Sequence, residues 1–176
     1  MGTNVISSNV LSGFHAFPPG ISRKESASAE CMTHTEPSIK EYLIENIGGK
    51  EIPIQIPDVA WSGSAVEKIL GFLRLLPNWD GYGAPSLKID CILMAIDVIT
   101  FITQENTPEP TIFPTSDEGV QIEWHTDKAE LEVEVTHDLK LLVLFDDPHG
   151  NKYDWEMSLY SSPDLQRIIN CVRQLA

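Results

Sequence analysis

Basic residues are scarce in this chain: 12 Lys and Arg stand against 26 Asp and Glu, a formal charge of −14 over 176 residues. Affinity for nucleic acid depends on cations that neutralise phosphates, and Arg23-Lys24 is the only adjacent basic pair. The shortage excludes nonspecific binding of DNA or RNA. Cysteine is also scarce. Cys31, Cys91 and Cys171 are widely spaced and odd in number, so they supply neither a disulfide framework nor a close pair of metal ligands, as expected in a reducing cytoplasm. No apolar run reaches the roughly 18 to 20 residues that cross a bilayer. The N-terminus lacks the order of a signal peptide, because Arg23 and Lys24 follow its mildly apolar start. Met1-Gly2 would need Ser or Thr at the position held by Ile6 to be myristoylated. A soluble cytoplasmic protein is expected, with no membrane contact.

Catalytic signatures are missing as well. The chain has no Gly-Lys-Ser or Gly-Lys-Thr phosphate loop, no G-x-S-x-G elbow and no His-Glu-x-x-His pair. His15, His34, His137 and His149 fall in the tail or in turns, and Cys91 sits on an apolar helix face as an inert core thiol. Cys171 reads as the polar edge of the last helix. No cofactor and no metal are expected, and no catalytic residue is assigned.

What is present is a chain with 42% hydrophobic residues, long enough for one domain with a real core. Residues 1–35 read as a flexible or partner-docking tail, broken by Gly13, Pro18, Pro19 and Gly20 and carrying Phe14 and Phe17. Residues 36–176 read as a single α+β domain. Ile39, Leu43 and Ile47 recur every fourth residue before Gly48-Gly49, which predicts a short helix from Glu36 to Ile47. Ile52, Ile54 and Ile56 alternate around Pro53, an edge strand or an extended arm. Val66, Ile69, Leu70, Leu73 and Leu76 make a helical stripe that ends at Pro77, with Ser62 or Ser64 as its cap. A second helix is predicted from Ser86 to Gln104, with Leu87, Cys91, Met94, Ala95, Val98, Ile99 and Ile102 inward.

Beyond TPEPTIFP the period becomes two. Val120, Ile122 and Trp124 alternate with polar residues, then Leu131, Val133 and Val135 do so; Leu141 to Phe145 is apolar throughout, and Trp155, Met157 and Leu159 alternate again. Leu165, Ile168, Ile169, Val172 and Leu175 form a last helix. The expected fold is a four-stranded antiparallel β-meander packed against three or four α-helices.

Two places can carry function. The loop LLPNWDGYGAPS, Leu75 to Ser86, packs a Trp, an Asp, two Gly and two Pro between two helices. Such density predicts one fixed conformation, in which Asp80 accepts backbone N–H groups and Trp79 wedges into the core. Asn78, Trp79, Asp80 and Tyr82 are a structural loop or a ligand site. The second place is the outer sheet face, where Glu123, Glu132, Glu134 and Glu156 point the same way as His125. Residues 117–156 hold 12 acidic residues against three lysines. Opposed carboxylates repel unless water, a cation or a basic partner intervenes, so the face serves solubility, a basic protein or a divalent ion. Leu142 and Leu144 share it, and an apolar strip within an acidic rim has the pattern of an interface.

NWDGYGAPS, then IFPTSDEGVQIEWH and LEVEV, resembles a widespread group of small bacterial proteins with an Asn-Trp-Asp-Gly-x-Gly-Ala loop and a later Gly-(Val/Ile)-x-(Leu/Ile)-Glu-Trp strand. The resemblance covers about residues 66–145. Its matching positions are Asn78, Trp79, Asp80, Gly81, Gly83, Ala84, Gly119, Glu123 and Trp124. It implies a bacterial or phage-related origin and a shared fold, without an activity. The expected function is a non-catalytic acidic interaction module, antitoxin-like, immunity or defence-accessory, that binds a basic protein partner or larger complex through Glu123, Glu132, Glu134, Leu142, Leu144 and Glu156, with a homodimer also open. The competing expectation is a metal- or small-ligand-binding enzyme or sensor that uses Asp80 and the acidic face.

Overall fold

The computed structural model describes residues 38–159 and 161–176; the expected tail over 1–35 lies outside them. The chain forms β1 (Ile39–Ile47), β2 (Lys50–Pro57), α1 (Ser62–Gly71), α2 (Ile89–Ile102), β3 (Thr111–Pro114), β4 (Val120–His125), β5 (Glu130–Val135), β6 (Leu141–Asp146), β7 (Lys152–Met157) and α3 (Ser162–Val172). The strands make two antiparallel sheets, one of two strands ordered β1-β2 and one of five ordered β3-β4-β5-β6-β7.

This corrects the expected single four-stranded meander in two places. Where the predicted helix over 36–47 falls within the described residues it is strand β1, Ile39–Ile47, paired with β2. A spacing of four is a multiple of the strand period as well as about one helical turn, so Ile39, Leu43 and Ile47 share a face in either conformation. The Gly pair decides it. Gly48 and Gly49 have φ of 61° and 82°, the left-handed values of a two-residue hairpin turn rather than a helix stop. The second correction is β3, which pairs with β4 from Thr111↔Glu123 to Pro114↔Val120. It is four residues long and bounded by proline, too short to show a period.

Helix α2 is the centre of the core. Cys91, Ile92, Ala95, Val98, Ile99 and Ile102 are fully buried, and α2 packs against α1, β2, β4, β5 and α3. Facing it, Val120, Ile122, Trp124, Leu131, Val133, Val135, Leu141, Val143 and Phe145 present the inner side of the five-stranded sheet. Each such side chain contributes about 1.5 to 3 kcal/mol on burial. The indole N–H groups of Trp61 and Trp124 donate to the carbonyls of Thr107 and Pro108, both at 2.9 Å, tying the α2–β3 connection to the core. Ser62 and Ser64 do not cap α1 with their hydroxyls; they donate instead to carbonyls of residues 57, 59 and 61. Cys171 is buried rather than at a polar edge, and that burial pushes its thiol up to about 11.

The β3–β4 turn is tight. Glu118 has φ of 73°, and a Cβ added to Gly119 would stand 2.5 Å from the Val135 carbonyl oxygen and 2.7 Å from Thr115 Oγ1. The first contact is backbone and cannot swing aside. Gly119→Ala is expected to cost about 1 to 3 kcal/mol through forced backbone displacement, read as a lower urea midpoint with an unchanged slope.

Candidate functional site: the outer sheet face

Strand alternation sends every second side chain of β4 to β7 away from α2. Register then aligns these side chains in rows. One row runs Gln121, Glu134, Leu142, Glu156; the next runs Glu123, Glu132, Leu144, Asp154; the third runs His125, Glu130, Asp146, Lys152. Leu142 and Leu144 thus lie together on β6, flanked by carboxylates from β5 on one side and β7 on the other. Leu142 is 41% exposed, so no described helix covers the strip. Between the flanks lies an open concavity of about 380 Å³, lined by Gln121, Glu132, Glu134, Leu142, Leu144, Asp154 and Glu156 among others. Glu132, Glu134, Glu156, Leu142 and Leu144 therefore meet in one surface feature, with Glu123 at its border.

Like charges are directly opposed across β4 and β5 at Glu123↔Glu132, a destabilising arrangement by itself. The Gln121 side-chain amide relieves it by donating to Glu123 at 2.7 Å and to Glu132 at 3.4 Å. His125 Nε2 adds a contact to Glu123 at 3.1 Å, and Nδ1 approaches Glu130 at 3.8 Å. The hydrogen bond to Glu123 raises the His125 pKa. Elsewhere on the face Lys140 meets Glu156 at 3.0 Å and Lys152 meets Asp146 at 2.9 Å. Among the described residues Glu134 and Asp154, at the two walls of the concavity, have no ion-pair partner. Burial, then the charge of Asp117, pushes the Glu134 carboxyl above its ordinary range.

Glu123, His125 and Glu132 bring one ligand atom each within 4.8 Å of one another. Two carboxylates and an imidazole are a donor set for a divalent ion, although here the Gln121 amide and the His125 ring already supply contacts to those carboxylates.

The other candidate is closed on itself. Asp80 Oδ1 accepts the N–H groups of Tyr82 at 2.8 Å and Ala84 at 3.1 Å, which holds its carboxyl below the usual range. Asn78, at φ 67°, accepts the Gly83 N–H at 2.8 Å through its side chain. Trp79 donates to the Pro85 carbonyl at 3.0 Å and packs against the core. Tyr82 stands 95% exposed at the tip. The polar groups of the loop are thus used in its own closure.

Three participants escaped sequence reasoning. Gln121 is in phase with Glu123 and was visible as such, but a neutral residue drew no attention. Lys140 lies in a turn outside the alternating pattern, and Asp154 stands at the start of a run whose alternation is carried by Trp155, Met157 and Leu159. No protein-family model, curated protein or solved structure matches the chain.

His125 holds its proton to higher pH in the folded state, so its contribution to stability is complete below its unfolded pKa and is lost as pH rises through the folded one. An NMR titration of the ring is expected to place His125 above the ordinary value of about 6.5, and Glu123→Gln is expected to bring it back down.

Proposed function

We propose that this chain is a non-catalytic interaction module that binds a basic protein through the outer face of its five-stranded sheet. The observation that carries this reading is the Leu142–Leu144 strip set between Glu132 and Glu134 on one wall and Asp154 and Glu156 on the other. An apolar centre supplies contact area that loses water on docking, and a charged rim steers and orients the partner. Glu134 fits the role of a first contact. Burial and then the neighbouring Asp117 raise its pKa, and an arriving Lys or Arg would offset both. The acidity that speaks against nucleic acid speaks for the basic surface of another protein, in the manner of an antitoxin-like, immunity or defence-accessory subunit. Among the described residues no helix is long and apolar enough to cross a membrane.

A second reading rests on the three ligand atoms of Glu123, His125 and Glu132, which would make the face an ion-binding sensor. The two readings separate cleanly. Partner binding by the proposed face is insensitive to chelator and steeply sensitive to salt, whereas an ion-dependent face loses its ligand when the ion is removed.

The test begins with a tagged chain purified gently from its host and its bound proteins identified. With a partner in hand, Glu132→Lys with Glu134→Lys is expected to weaken affinity by roughly tenfold or more. Glu105→Lys with Glu109→Lys, the same charge change at exposed positions between α2 and β3, is expected to leave it nearly unchanged. Equal loss in both variants would reduce the effect to net charge and remove the face from consideration.

A further inference from the structure

The β1–β2 hairpin has one open side. Ile47 and Lys50 flank the two-residue turn, and in such a hairpin the flanking pair is hydrogen-bonded, with bonded pairs at every second position thereafter. The bonded pairs are then Glu45↔Ile52, Leu43↔Ile54 and Glu41↔Ile56. The register shifts between Ile39 and Glu41, and over the regular stretch that follows, Tyr42, Ile44 and Asn46 turn their backbone N–H and C=O groups away from β2. Two features of β2 agree with this parity. Gln55, which stands opposite Tyr42, turns its carbonyl outward, where it accepts the Thr100 hydroxyl of α2 at 3.1 Å. Pro53, opposite Ile44, places its missing N–H on the outer side, where no ladder bond is lost. The outer edge of β2 is therefore met by α2 and blunted by proline. That of β1 is regular from Glu41 to Ile47, contains no proline, and among the described residues pairs with no other strand.

Its side chains match that openness. Tyr42 is 65% exposed and Ile44 64%, an apolar pair beside unpaired backbone groups of the kind that natural sheet edges normally avoid.

We infer that the open edge of β1 pairs antiparallel with the same edge of a second copy of this chain, joining two hairpins into one four-stranded sheet. Charge selects the occupant. The hairpin carries two lysines against three glutamates in a chain of net −14, so it is the nearly neutral surface on which two such acidic molecules approach with least repulsion. Symmetry permits the contact. A two-fold axis perpendicular to the sheet keeps each face on its own side and sets a residue beside its own copy. With the axis at Tyr42 the two tyrosines meet and Glu41 lies opposite Leu43. With the axis at Ile44 the isoleucines meet and Tyr42 lies opposite Asn46. Neither register opposes two glutamates, whereas an axis at Leu43 would set Glu41 against Glu45. The dimer would leave both acidic faces of the larger sheets open, making the module bivalent.

Sedimentation velocity of the full chain over a wide concentration range tests this. The expected result is a mass that moves from 19.6 kDa toward twice that value. Tyr42→Lys with Ile44→Lys is expected to weaken dimerisation about tenfold or more while thermal unfolding of the monomer is retained. Ile44→Pro, which removes an outward N–H and no hairpin bond, is the independent check. Amide exchange completes it: the Tyr42 and Ile44 N–H groups are expected to become protected as concentration rises. A monomer at every concentration overturns the proposal. So does a dimer whose Tyr42 and Ile44 amides exchange freely, and so does protection of those amides in the monomer, which would mean an occupant from within the chain.

Discussion

A single helix can cover only one side of a sheet, and that limit organises this molecule. Helix α2 is apolar on nearly all of its circumference and is met by the inner sheet face, by β2, by α1 and by α3. Every described helix and the hairpin gather round it, so nothing among the described residues remains to cover the opposite side of β3–β7. The exposed character of that side is a consequence of where the apolar material is concentrated. Acidic and amide residues are what a five-stranded sheet needs there if it is to stay in water, and the two leucines on β6 are the departure from that rule.

The outer face also shows how like charges are tolerated at short range. Glu123 and Glu132 face each other directly, and the relief comes from an uncharged amide and a histidine rather than from a lysine. The lysines are placed at the margins, on Glu156 and Asp146. Negative potential is thereby kept at the middle of the face, beside the apolar strip, where it acts on whatever approaches.

Much of this was legible in the residues. The period-two runs located β4 and β5 closely and the continuous apolar run located β6, and strand alternation put Glu123, Glu132, Glu134, Leu142 and Leu144 on one side, because it is fixed by backbone geometry. The stripes of α2 and α3 were equally plain, whereas the stripe expected to run to Pro77 overshot α1, which ends at Gly71 and leaves Leu73 and Leu76 exposed. What failed was local ambiguity. Ile39, Leu43 and Ile47 satisfy two periods at once, and only the left-handed pair Gly48-Gly49, readable as either a stop or a turn, separates them. Strand β3 gave no signal because four residues ending in Pro114 exist as a strand only by virtue of β4 beside them. Within the Trp79 loop Asp80 accepts the N–H groups two and four residues ahead of it, the local use that a short carboxylate side chain in a turn makes available.

The order of the five-stranded sheet has a kinetic meaning. Each of its strands pairs with the one next to it in the chain, so every ladder closes through a short loop and the contact order of the sheet is low. Hairpins of this kind form early and locally. The long-range events are those that bring β2 and α1, from the first half of the chain, onto α2 and the sheet that follows it. The barrier to folding accordingly lies in assembling the layer over the inner face, while the outer face takes its final form as soon as its strands are paired.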